Sequence, residues 1–129
     1  MALVPTLTIK DTTTFSDEIS FSVTDSLTAT APSSSLSTIG VTSVGANNII
    51  QPATDGQTRY IFIRHTGTKE GSSSSGSATV NIELTGDVIF GKLAAGEWCF
   101  LPVGGHSLGV QLQSSTGTVQ CEYAYWTKG

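Results

Sequence analysis

The sequence predicts an all-β fold, an antiparallel β-sandwich or jelly-roll-like domain with an extended N-terminal arm. Three observations predict it. Apolar residues recur with a period of two in run after run, the spacing that places alternate side chains on one face of a strand. Gly-rich turn signals separate these runs at roughly 8–12 residues, the spacing of sandwiches and barrels. Helical stripes at i, i+3, i+4 and i+7 are missing over any length that would build a helix. At 129 residues the chain suits one domain. Composition divides it into a Ser/Thr-rich arm or set of edge strands over 1–45 and a sandwich or barrel core domain over 46–129.

Each strand is readable in turn. Leu3, Pro5, Leu7 and Ile9 alternate with Val4, Thr6, Thr8 and Lys10, and Ile19, Phe21 and Val23 alternate with Ser20, Ser22 and Thr24. From Thr12 to Thr42 Ser and Thr dominate, and isolated large apolar residues leave too little apolar density for a self-sufficient layer. Such a segment is either a mobile arm or an arm ordered by strand addition on a neighbouring subunit. Tyr60, Phe62 and Arg64 interleave with Ile61 and Ile63 in a strand covered on both faces. Gly67 to Ser77 reads as a long, flexible hairpin loop. Ala78, Val80, Ile82 and Leu84 then oppose Thr79, Asn81 and Glu83. Turns at Leu93–Glu97 and Val103–His106 enclose a strand from Trp98 to Leu101. Leu108, Val110 and Leu112 oppose Gly109, Gln111 and Gln113. Finally Val119, Cys121, Tyr123 and Tyr125 alternate with Gln120, Glu122, Ala124 and Trp126.

Composition excludes several function classes. Charged residues make up 12% of the chain and the net charge is −4, about half the usual charged share. Six Lys and Arg scattered along the sequence give no cluster for phosphate, so nucleic acid is not expected as a partner. A charge-poor surface does little to oppose association. No basic, apolar signal segment opens the chain and no run approaches the ~20 apolar residues of a membrane span, so neither a leader nor a membrane is expected. Cys99 and Cys121 lie inside apolar runs and read as two free buried thiols; a disulfide requires neighbouring strands.

The candidate chemistry is thin. His65 and His106 sit beside Gly-rich turns without Cys-x-x-Cys or His-x-x-x-His spacing, which suits surface or partly buried turn histidines better than a metal. The serines form no Gly-x-Ser-x-Gly elbow and have no evident base and orienter. Asp11, Asp17, Glu18 and Asp25 form a loose acidic set better explained by turns and caps than by a glycosidase pair. No enzyme, cofactor, metal or small-molecule substrate is therefore expected. Trp98 and Phe100 share one face of their strand, and Tyr123 and Tyr125 one face of theirs, the pattern of core or interface packing.

Two motifs carry a resemblance. The run Gly91-Lys-Leu-Ala-Ala-Gly-Glu-Trp-Cys-Phe-Leu-Pro102 and the later run Ser115-Thr-Gly-Thr-Val-Gln-Cys-Glu-Tyr123 resemble small β-structured virion proteins of tailed bacteriophages. Leu7-Thr-Ile-Lys-Asp11 and Ile19-Ser-Phe-Ser-Val-Thr-Asp25 are similar in style. The resemblance covers the last third of the chain well, and its motifs are packing motifs, so it transfers no catalytic or binding residue. It implies a structural role in the virion, expected here as a capsid decoration (cement) protein that bridges major capsid subunits and self-associates into a homo-oligomer such as a trimer. Leu3, Leu7, Ile9, Phe15, Ile19 and Phe21 are the expected partner contacts, and Trp98, Phe100, Tyr123 and Tyr125 the expected packing or self-association face. The rival readings are a tail, baseplate or fibre component and a carbohydrate-binding module that attaches to a host surface.

Overall fold

The computed structural model describes residues 2–10, 20–24, 26–31, 36–51, 59–103 and 108–128. The described residues form β1 (Ala2–Leu3), β2 (Thr6–Lys10), β3 (Ser20–Thr24), β4 (Leu27–Ala31) and β5 (Ser37–Val41). A 3-10 turn (Gly45–Asn47) precedes β6 (Ile49–Gln51), β7 (Arg59–Lys69), β8 (Val80–Leu84), β9 (Val88–Leu93), β10 (Trp98–Val103), β11 (Val110–Ser114) and β12 (Val119–Lys128).

The eight strands from β5 onward pair from the outside inward: β5 with β12, β6 with β11, β7 with β10 and β8 with β9, every pair antiparallel. Cross-links between β12 and β7 and between β11 and β8 gather them into two sheets, β5-β12-β7-β10 and β6-β11-β8-β9. A long hairpin rolled up in this way is a jelly roll, the two-sheet solution that suits eight antiparallel strands. The sandwich expectation thus resolves into its jelly-roll form.

The core lies between the sheets and follows the period of two. On β7, Ile61, Ile63 and His65 point inward; on β8, Val80 and Ile82; on β11, Val110 and Leu112; on β12, Val119 and Cys121. Val41 of β5, Ile50 of β6, Leu93 of β9 and Val103 of β10 close the cluster, so each strand of the roll contributes. Burying each of the Val, Leu and Ile side chains among these contributes about 1.5–3 kcal/mol.

The region before β5 is built onto the large sheet. β4 pairs with the C-terminal end of β12 and with β1. β2 and β3 form a separate hairpin in which Thr6 Oγ1 meets Thr24 Oγ1 at 2.9 Å and Thr8 Oγ1 meets Ser22 Oγ at 3.0 Å. Cross-strand hydroxyl pairs of this kind replace the missing charge on the exposed face. Among the described residues of this segment β1 and β4 extend the large sheet, and β5, which starts before residue 45, is the first strand of the roll.

Two further expectations are corrected. His65 is fully buried in mid-strand rather than at a surface turn. The strand continues past Gly67, which has a φ of 83°, to Lys69. Opposite this stretch the register jumps between Cys121↔His65 and Val119↔Lys69. Gly67 thus marks a bulge in β7, a conformation its missing Cβ permits. The Ser-rich stretch beyond it is held closely. Ser75 N–H donates to the Gly67 carbonyl (2.8 Å), Ala78 N–H to the Ser75 carbonyl (3.1 Å), and Ser72 N–H to the Lys69 carbonyl (3.0 Å).

Candidate interaction surfaces

The outer face of the large sheet carries a grid of aromatic side chains. Register across β10, β7 and β12 lines up Trp98, Arg64 and Glu122; then Phe100, Phe62 and Ala124; then Pro102, Tyr60 and Trp126. These are the positions of opposite parity to the core set, so they face away from the small sheet. Tyr60 and Phe100 stack with centroids 6.1 Å apart and planes 4° apart, Phe62 meets Trp98 at 6.4 Å, and Phe100 meets Trp126 at 6.4 Å. Trp98 ends the ladder and is 55% exposed. Beside it the Arg64 guanidinium (Nη1) lies 3.6 Å from Glu122 Oε2, a surface pair worth at most ~1 kcal/mol.

The β2–β3 hairpin sits over one end of this grid. Pro5, Leu7, Val23 and Thr24 from the hairpin and Tyr60, Phe100 and Pro102 from the sheet line a groove of about 570 Å³. Leu7 and Val23 in the groove, and Ile9 farther along β2, stay 40–56% exposed. A second apolar surface lies on the small sheet, where β9 is, among the described residues, an edge strand paired with β8. Val88, Ile89 and Phe90 are all exposed on it. This open edge carries a single charge, Lys92, beside its three exposed apolar side chains.

The expected site residues separate accordingly. Leu7 and Ile9 lie on the exposed hairpin, Leu3 lies opposite Leu27 in β1, and Phe21 lies opposite Ile9 in β3. Phe15 and Ile19 are outside the described residues. The aromatic set expected as one face is two. Trp98 and Phe100 are on the outer face, whereas Tyr123 and Tyr125 pack against the core. Tyr125 lies beneath the Arg59 guanidinium, 5.3 Å from the ring centroid. The reason is register: Cys99 and Tyr123 both stand opposite Ile63, which places Trp98 and Tyr123 on opposite faces. A sugar-binding platform built from Trp98, Trp126 and Tyr125 would need all three rings on one face; Trp98 and Trp126 share a face and Tyr125 does not. Sequence reasoning missed Tyr60, Phe62, Arg64 and Glu122, whose companionship depends on pairing between strands distant in sequence.

Both cysteines are free. They lie on β10 and β12, which flank β7, so two strand spacings of about 4.8 Å separate them, beyond disulfide reach. Burial raises the Cys99 thiol, opposed by a backbone hydrogen bond with Ile63, and pushes Cys121 up to about 12. The folded protein keeps these protons above pH 9, where the unfolded chain releases them. The thiols' contribution to stability is therefore complete below pH 9 and is expected to be lost as the pH rises from 9 towards 12, most of it through Cys121, the more deeply buried of the two. Urea unfolding of the wild type and of Cys121→Ala across that range checks this; equal slopes in the two proteins would contradict it.

Among the described residues no three His, Cys, Asp or Glu side chains converge on a common point, and no helix is long and apolar enough to cross a membrane. No protein-family model matches the chain, and neither a curated protein nor a solved structure does. The surfaces themselves carry the functional reading.

Proposed function

We propose that the chain is a structural protein of a tailed-bacteriophage particle, a capsid decoration protein that bridges major capsid subunits and associates with copies of itself. The observation that carries the proposal is apolar surface left uncovered on a charge-poor chain. The hairpin presents Leu7, Ile9 and Val23, and the β9 edge presents Val88, Ile89 and Phe90. Each square ångström of apolar surface covered contributes about 25 cal/mol before association costs. The jelly roll is a fold that capsid and lectin domains share, so it is compatible with both readings and decides neither.

The purified chain is expected to bind expanded heads at a fixed ratio to the coat subunit, and Leu7→Asp to weaken that binding at least tenfold. Cosedimentation with heads of the cognate phage measures both. Recovery of the chain only in tail fractions would place it in the tail or baseplate instead. Exposed Trp98 beside Arg64 and Glu122 supports a carbohydrate module as the second reading. Glycan binding lost in Trp98→Ala, with no binding to heads, would favour it.

A further inference from the structure

The outer face of the small sheet holds a buried carboxylate with too few partners. Glu83 on β8 is 0% exposed. Its Oε1 accepts one hydrogen bond, from Gln111 Nε2 at 2.8 Å, and the same nitrogen donates to Asp87 Oδ1 at 3.0 Å. Glu83 Oε2 is buried and, among the described residues, has no hydrogen-bond partner. Two carboxylates thus converge on a single neutral amide. Lys92 stands opposite Asn81, further along the strand pair, and the one ion pair among the described residues is Arg64–Glu122. The 3-10 turn roofs the site so closely that a Cβ on Gly45 would lie 2.8 Å from Glu83 Oε1 and 2.7 Å from Gln111 Nε2.

A buried carboxylate without a compensating charge or a full set of hydrogen bonds is costly. We propose that Glu83, Asp87 and Gln111 form a binding site for a hard divalent cation of the calcium or magnesium class. The carboxylate oxygens of Glu83 and Asp87 supply two ligands. Turning the Gln111 amide over exchanges nitrogen for oxygen at one position and adds a third. Water completes the shell, as it does where few protein oxygens hold such ions. The donor set is all oxygen, which selects against the softer metals that prefer imidazole or thiolate. Asp87 takes up its position on the β8–β9 turn with a φ of 64°, within reach of the same amide as Glu83.

The test uses the full chain, stripped with a chelator and then titrated with calcium or magnesium chloride. Calorimetric titration is expected to show one equivalent bound, and the ion at a hundredfold excess over its Kd to raise Tm by about 5 °C or more. Glu83→Gln and Asp87→Asn should each weaken binding at least tenfold and remove the shift in Tm. Asp87 is exposed, so Asp87→Asn leaves the fold intact and decides the matter even where Glu83→Gln perturbs it. The two ions separately identify which is preferred. Absence of binding by both ions, or binding that persists in both variants, overturns the proposal.

Discussion

Replacing His65 by alanine is expected to cost about 4 kcal/mol of stability, the sum of a cavity of near-leucine size and two broken hydrogen bonds to buried backbone. The imidazole is a cross-brace. Gly67 N–H donates to Nδ1 at 3.0 Å, which leaves the proton on Nε2 to donate to the Ala78 carbonyl at 2.9 Å. The ring thus ties the bulge in β7 to the entry of β8, from inside the core. Without it the Gly67 N–H and the Ala78 carbonyl lose partners that solvent reaches poorly. Urea denaturation measures the change. A loss under 1 kcal/mol would show that the Ser-rich stretch holds itself in place through its own backbone bonds.

The second large effect is expected at Asn48, where Asn48→Asp should cost about 3 kcal/mol or more, because a buried donor becomes a charged acceptor facing carbonyl oxygens. Asn48 Nδ2 donates toward the carbonyls of Thr42 (3.0 Å), Val44 (3.0 Å) and Leu112 (2.9 Å), while Oδ1 accepts from Thr42 N–H at 3.2 Å. One side chain thereby joins the β5–β6 connection to β11, with the backbone bond from Leu112 N–H to the Asn48 carbonyl beside it. Unfolding midpoints of Asn48→Asp and the wild type at neutral pH give the difference. Equal midpoints would mean that the turn relaxes to let water solvate the new carboxylate.

His65 and Asn48 also mark where sequence reading stops. Strand positions were legible because half-burial writes a period of two directly into the chain. Val110 and Leu112, and Val119 and Cys121, face the core as their alternation requires. What alternation cannot give is which strands become neighbours. Trp98 and Tyr123 were grouped as one aromatic face because each belongs to a clean alternating run, yet their shared neighbour Ile63 puts them on opposite sides of one sheet. Gly67 misled for a related reason. A glycine beside Ser and Thr signals a turn, and the same positive φ serves a bulge inside a strand. Glu83, polar by parity and buried in fact, is covered by a turn nearly forty positions earlier. No local pattern reports that contact.

The order in which the strands pair has a consequence for synthesis. β12 is the hydrogen-bonding neighbour of β4, β5 and β7, and it follows all three in the chain, so it leaves the ribosome after them. Closing the outermost pair of the roll joins residues 37–41 to residues 119–123, so the largest loop within the roll is closed by its last strand. Contacts of such separation form slowly, because the entropy of closure is lost before any contact offsets it. Until then the nascent chain holds β4 and β5 without their template, and they gain their place in the sheet only once β12 has been made.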